Sequence, residues 1–186
     1  MDEKTILYQA VRDAEIVQID DGNKGIYNFK KYPFGERGNF ITPELLDEII
    51  TNMMKDIRKC ENDIDYLVAP EPGGHTWGMM LSYQLGIPIN ILRMTLSKDL
   101  QYGNPILRKT AYNHNYLYFE HFQPGDKVMI IDDVISSGST IRGILEQLKA
   151  LQVVVVGIQV ILVKGQDYKQ ISSQYDVPIS FLVSEG

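Results

Sequence analysis

The apolar positions of the chain change rhythm several times, and each change marks an element. Between residues 42 and 58, Leu45, Leu46, Ile49, Ile50, Met53, Met54 and Ile57 recur at helical spacing. Thr42-Pro43-Glu44 opens that stretch, with Thr a good cap and Pro well placed in the first turn, so the pattern predicts a helix to about Arg58. The rhythm then shortens. DYLVAP (65–70), INILR (89–93), VMIID (128–132) and VVVVGIQVILV (153–163) are unbroken apolar runs of strand length, as strands covered on both faces require. A helix is predicted from the EPGG turn to Leu85, stopped by Gly86 with Pro88 beyond, and another over 140–151. At the ends, residues 5–13 read as a short helix, EIVQI (15–19) as a strand, and 22–42 as an irregular aromatic lobe with a hairpin. A short helix and ISFLV close the chain. Residues 94–115 show no clean period and hold Gly103-Asn104-Pro105, which predicts a long loop before a strand at YLYFE (116–120).

Strand–helix alternation with apolar strands predicts an α/β fold around a mostly parallel sheet. The 186 residues suffice for one domain, here read as a core of about 43–163 with a small lobe built from 1–42 and 164–186. A net charge of −6 argues against a surface-wide grip on nucleic acid. The single cysteine, Cys60, fits a reduced cytoplasmic setting. The opening residues are unlike a signal peptide, and no apolar run approaches the ~20 residues that span a bilayer. No nucleic-acid or membrane partner is therefore expected.

One stretch does not fit a merely structural reading. VMIIDDVISSGST (128–140) places two acids at the end of an apolar run and a small, hydroxyl-rich loop just beyond. Adjacent carboxylates repel and are costly to desolvate. In open α/β sheets, ligands sit beyond the carboxyl ends of strands. Backbone N–H groups of Ser136, Ser137, Gly138, Ser139 and Thr140, opening a helix, suit a phosphate. Ionised Asp132 and Asp133 only accept hydrogen bonds, so they suit a sugar diol. Together they describe a ribose 5-phosphate. A Walker loop and a G-x-G-x-x-G fingerprint are both absent.

The stretch resembles the phosphoribosyl pyrophosphate (PRPP) motif of type I phosphoribosyltransferases, and the likeness extends over about 40–165. The resemblance implies a Rossmann-like sheet with a hood from the chain ends, and a purine phosphoribosyltransferase that makes a nucleoside 5′-monophosphate and pyrophosphate. Asp132 and Asp133 would be the catalytic pair, with Mg²⁺ held mainly by PRPP. APEPGG (69–74) resembles the family's pyrophosphate loop, whose cis peptide would fall at Glu71–Pro72; Glu71, Pro72, Gly73 and Gly74 would face pyrophosphate. Arg93, Lys98, Arg108 and Lys109 lie where the family carries a loop that closes over the reacting centre, and Arg93 and Lys98 are the pyrophosphate candidates. Related enzymes often have Arg-Lys where this chain has Arg93-Met94. Val134 is placed to pack under the base, and Lys164, in ILVKGQ, matches the lysine that 6-oxopurine enzymes set against the base carbonyl. Tyr27, Phe29, Phe34 and Phe40 offer a stacking face, with Phe40 taken as the base-side residue. Ser136 stands where one hypoxanthine–guanine branch has aspartate, and GNFITPELL resembles adenine-type and archaeal hypoxanthine-type enzymes. His75, His114 and His121 lack metal-ligand spacing and name no general base. An orotate-using enzyme of this fold, or a non-catalytic PRPP-binding regulator, stay open as alternatives. A homodimer follows family practice.

Overall fold

A computed structural model describes residues 5–20, 25–35, 37–38, 40–95, 106–109 and 114–186. Its centre is a parallel sheet of five strands: β3 (Tyr66–Pro70), β4 (Ile89–Leu92), β8 (Lys127–Ile135), β9 (Val154–Lys164) and β10 (Ile179–Glu185), in the order β10-β9-β8-β3-β4. The chain runs from β3 outward to β4, then restarts at β8 and runs the other way. The switch lies between β3 and β8, and in such sheets the crevice opens there, beyond the strand ends. It is flanked by the two loops singled out in the sequence.

Helices cover both faces. Helices α2 (Pro43–Ile57) and α3 (Gly73–Leu85) pack on one side, where Ile49, Met53, Leu67, Leu81 and Ile131 are fully buried. Helices α4 (Ser139–Ala150) and α5 (Asp167–Tyr175) cover the other, over Ile130, Ile144, Leu148 and Val160. Helix α2 starts as the sequence predicts: the Thr42 hydroxyl accepts the Leu45 N–H at 3.3 Å, and Pro43 is in the first turn. Truncating Ile49 or Met53 to alanine would cost about 2–5 kcal/mol, since both are 0% exposed. Helix α3 ends at Gly86, held in the left-handed region at φ 70°.

The amino-terminal residues form α1 (Ile6–Arg12) and an antiparallel ribbon of β1 (Glu15–Asp20) and β2 (Ile26–Lys31). Glu48 of α2 docks α1, accepting the N–H groups of Ile6 and Leu7 at 2.9 and 3.2 Å. After the ribbon, Tyr32 and Phe34 stack with ring centroids 5.5 Å apart, and both are buried. The Trp77 indole N–H donates to the Phe34 carbonyl at 3.2 Å, which fastens this segment to α3.

Three expectations need correction. Within residues 94–115, expected as a loop, β5 (Met94–Thr95) and β6 (Ile106–Lys109) pair with β7 (His114–Leu117) in a small antiparallel sheet. Strands of two to four residues are too short to print a period. The central strand does not stop at Asp132 but runs to Ile135, because Asp132 and Val134 keep their register with Val160 and Leu162 of β9. The closing segment, expected in the accessory lobe with 1–42, instead completes the main sheet, since β10 pairs in parallel with β9 from Ile179 to Glu185.

Candidate active site

Among the described residues three polar or charged side chains are buried: Asp132, Asp133 and Gln159. Two of the three are the acid pair, each 7% exposed, at the carboxyl end of the central strand. Charges there need partners. The backbone supplies some: the Asp133 N–H donates to Asp132 Oδ1 at 3.0 Å, and the Val134 N–H to Asp133 Oδ1 at 2.7 Å. Each carboxylate is thus gripped by the next peptide in the strand.

The acids open on a cleft of about 640 Å³ that also takes in Ser136, Ser137, Gly138, Ser139 and Thr140. Gly138 caps α4 at φ 70°, a left-handed conformation that favours glycine. A Cβ there would also stand 2.2 Å from Ile171 Cδ1 on α5. The loop therefore turns tightly into α4, a twelve-residue helix with no side-chain cap, and its amino end faces the cleft. Amide donors and the helix dipole make that end fit for a phosphate.

The loop after β3 forms the opposite wall. The Glu71–Pro72 bond is cis, as the resemblance implies. Gly73 presses against the acid pair so closely that a Cβ would fall 2.4 Å from Asp133 Oδ1. Gly74 lies just behind, where a Cβ would meet the Ile131 carbonyl at 2.2 Å, and it is not part of the lining. From the ribbon side, Gly35 approaches the same carboxylate with room to spare, its Cβ position 3.6 Å from Asp133 Oδ2. Glu71 lines the cleft and accepts from the Arg93 guanidinium and, at 2.9 Å, from the Met94 N–H. Burial pushes the Glu71 carboxyl up, but Met94, Arg93 and His75 outweigh it and hold it below the ordinary glutamate range. Arg93 is largely exposed and reaches the site through this pair. Lys98 lies outside the described residues, and Arg108 and Lys109 fall on β6.

Lys164 ends β9 and lines the cleft, as do Val134, Lys30 and Tyr32. Its ammonium stands 4.6 Å from the centre of the Tyr32 ring. Burial pulls its pKa below the ordinary lysine value; Glu185 draws it back up and Lys30 adds to the fall. The Tyr32 hydroxyl and the Lys30 ammonium both donate to Glu185 at the end of β10. Burial, then the Glu185 hydrogen bond and charge, raise the Tyr32 phenol well above its ordinary value.

The sequence reading brought Asp132, Asp133, Val134, the 136–140 loop, Glu71, Pro72, Gly73 and Lys164 into one site, and the structure gathers them around one cleft. Phe40 is not among them: it is 77% exposed and outside the lining. Trp77 pins Phe34, and from this lobe Asn28, Phe29, Lys30, Tyr32, Gly35 and Arg37 line the cleft, so Phe29 of the aromatic candidates reaches it and Tyr32 joins it. Lys30, Tyr32, Gly35 and Glu185 escaped the sequence reading. The signal available for Tyr32 was its place in a Lys-Lys-Tyr-Pro run that ends β2 ahead of α2; Glu185 carried none.

The sequence profile of the phosphoribosyl transferase domain matches residues 40–183. A curated hypoxanthine/guanine phosphoribosyltransferase of Methanocella paludicola is 33% identical over 172 residues, covering 92% of this chain and 85% of that protein. Another of the same name, from Methanosphaerula palustris, is 37% identical over 153 residues, covering 78% and 81%. Among solved structures, the fold is similar to adenine phosphoribosyltransferase from Trypanosoma brucei in complex with AMP, pyrophosphate and ribose-5-phosphate (TM-score 0.73, 16% identity, 98% of this chain and 81% of that one). It is similar also to the Leishmania tarentolae adenine enzyme (TM-score 0.70, 19% identity, 100% and 90%). With a family profile spanning most of its length and relatives above 30% identity over most of both chains, this chain belongs to the phosphoribosyltransferase family.

Proposed function

We propose that the protein transfers the 5-phosphoribosyl group of PRPP to a purine base, giving a nucleoside 5′-monophosphate and pyrophosphate, as in purine salvage. The observation that carries this reading is the joint lining of one cleft by the buried Asp132–Asp133 pair and the amino end of α4. The 5′-phosphate rests on the backbone of 136–140 and the ribose hydroxyls donate to the acids. The pyrophosphate lies along Glu71–Gly73, with Arg93 at its edge. A purine nitrogen attacks C1 of the sugar as the C1–oxygen bond to pyrophosphate breaks, and the base N–H proton leaves to solvent. Positive charge that develops on the ring is stabilised by the two carboxylates, and alignment of base and C1 supplies much of the rest.

The base is a 6-oxopurine. Lys164 is donor-only at the base end, which suits a carbonyl and disfavours an amino group. The two relatives named above act, by their names, on hypoxanthine and guanine; the likeness to adenine enzymes concerns the fold.

Among the described residues no group of three or more His, Cys, Asp or Glu converges on a point. The carboxylate oxygens of Asp132 and Asp133, which line the cleft, suit a hard cation, and they would be the protein-side neighbours of a Mg²⁺ held mostly by substrate oxygens. Bound there, the ion would offset charge on the leaving pyrophosphate. The ribbon and its following turn act as a hood, the chain works as one domain and as a homodimer, and its setting is cytoplasmic. Among the described residues no helix is long and apolar enough to cross a membrane.

The test is direct. Protein, Mg²⁺ and PRPP are mixed with hypoxanthine, guanine, xanthine, adenine or orotate, and nucleotide and pyrophosphate are measured. Turnover with 6-oxopurines, lost on chelation, is expected. Turnover with orotate alone would identify the orotate reading. PRPP binding without pyrophosphate release would identify a regulator, a reading favoured by one observation: Glu71 already occupies Arg93 at the pyrophosphate end.

A further inference from the structure

The cleft holds an arrangement around Lys164 of which the reaction, as derived above, uses the lysine alone. Two ammonium groups flank one aromatic ring, with Lys164 Nζ 4.6 Å and Lys30 Nζ 5.8 Å from the Tyr32 centroid. One carboxylate serves the group: Glu185 accepts from Lys30 and from the Tyr32 hydroxyl. Among the described residues the Lys164 ammonium makes no hydrogen bond or ion pair; its contact is the face of the ring. Glu185 also sits beside Lys164 in the sheet, where the two are register partners. Its carbonyl accepts the Gly165 N–H at 2.8 Å, which fixes the turn directly after Lys164. Glu185 thus clasps the strand end with its backbone and the ribbon with its side chain.

We propose that Glu185 is a positioning residue for base selection: by fixing Tyr32 and Lys30 against the end of β9, it holds the Lys164 ammonium toward the group on purine C6. The inference rests on the purine reading given above. The ring confines the ammonium on one side by cation–π attraction, and the Lys30 charge, tied to Glu185, is kept from competing for the base. One positive charge is left uncompensated among the four residues, so the pocket favours an acceptor at C6. A clip that merely closed the ribbon onto the sheet would support both substrates alike. A positioning residue acts on the base and spares PRPP.

The experiment compares wild type, Glu185→Gln, Lys164→Ala and the double variant, with Tyr32→Phe as a milder probe that keeps the ring. KM and kcat are measured for hypoxanthine at saturating PRPP and for PRPP at saturating hypoxanthine. Glu185→Gln is expected to raise the hypoxanthine KM about 10-fold while the PRPP KM stays at the wild-type value. In the Lys164→Ala background the same change should have no further effect, because coupled residues are not additive. Tyr32→Phe should move the same constant in the same direction, and likewise only while Lys164 is present. Equal losses for both substrates, or full additivity with Lys164→Ala, would overturn the proposal while leaving the purine reading intact. A wild-type protein that ignores hypoxanthine would sink both.

Discussion

Two glycines from different segments approach the same carboxylate, and the difference in their clearance makes a sharp experiment. A methyl group on Gly73 would lie 2.4 Å from Asp133 Oδ1, 2.7 Å from Cγ and 2.9 Å from Oδ2. Ordinary contact begins near 3.4 Å, so Gly73→Ala must drive loop and carboxylate apart by about 1 Å. On Gly35 the methyl would lie 3.6 Å from Oδ2, within ordinary contact. Gly73 is the first residue of α3, where alanine is a better helix former than glycine, so the strain is partly offset in global stability. The loss should appear in catalysis instead. A displacement of about 1 Å in a group aligned on the reacting sugar costs on the order of 100-fold in rate. Gly73→Ala is therefore expected to lower kcat/KM for PRPP about 100-fold, with a melting temperature within a few degrees of wild type. Gly35→Ala should stay within about 3-fold of wild type on the same argument. The assay is steady-state nucleotide formation with hypoxanthine, alongside thermal unfolding of all three proteins. Wild-type kinetics in Gly73→Ala, or equal losses in both variants, would falsify the claim that Asp133 is held in a catalytically exact place by the pyrophosphate loop.

Other outcomes follow from the same site. Asp133→Asn, nearly isosteric and still able to accept the Val134 N–H, should cut kcat by at least about 100-fold while circular dichroism is unchanged. Lys164→Ala should weaken hypoxanthine use by about 1–3 kcal/mol in kcat/KM with little change toward PRPP; an unmoved value removes the lysine from the base contact. Gly138→Ala, forced into φ 70° and against Ile171, should lose about 1–3 kcal/mol in denaturant unfolding and raise the PRPP KM. Acid should weaken the clasp at Glu185. Burial raises its pKa, but the hydrogen bonds from Lys30 and Tyr32 and the charges of Lys30 and Lys164 hold it below the ordinary 4.5. A carboxyl depressed on folding stabilises fully above its unfolded value and loses that contribution as pH falls through the folded one. Wild type should thus lose stability below about pH 4.5 more steeply than Glu185→Gln, and parallel curves would exclude this role.

How much of this was legible in the sequence depended on range. Helix α2 could be read because its signals are local: a Thr cap, a first-turn proline and apolar residues at one spacing. The acid pair and the 136–140 loop could be read because the chemistry is contiguous and follows an apolar run. The three-stranded sheet over 94–117 could not, since its pairing partners are short and its strands carry no alternation. Phe40 was a reasonable base-side candidate by composition, but aromatic residues in one lobe are interchangeable until a tertiary contact orders them. Trp77 donating to the Phe34 carbonyl is such a contact, and Phe29 and Tyr32, not Phe40, line the cleft. Glu185 meets its partners across more than 150 residues of chain, and no pattern along the sequence encodes such a meeting.

Ile171 is fully buried on α5, and its terminal methyl packs so close to Gly138 that it leaves no room for a Cβ there. On the proposed reading, the loop that would seat the 5′-phosphate is thus backed by a side chain outside the cleft lining. Exchanging Ile171 for valine or leucine offers a dial on the depth of that seat, turned from outside the chemistry and leaving the acid pair untouched.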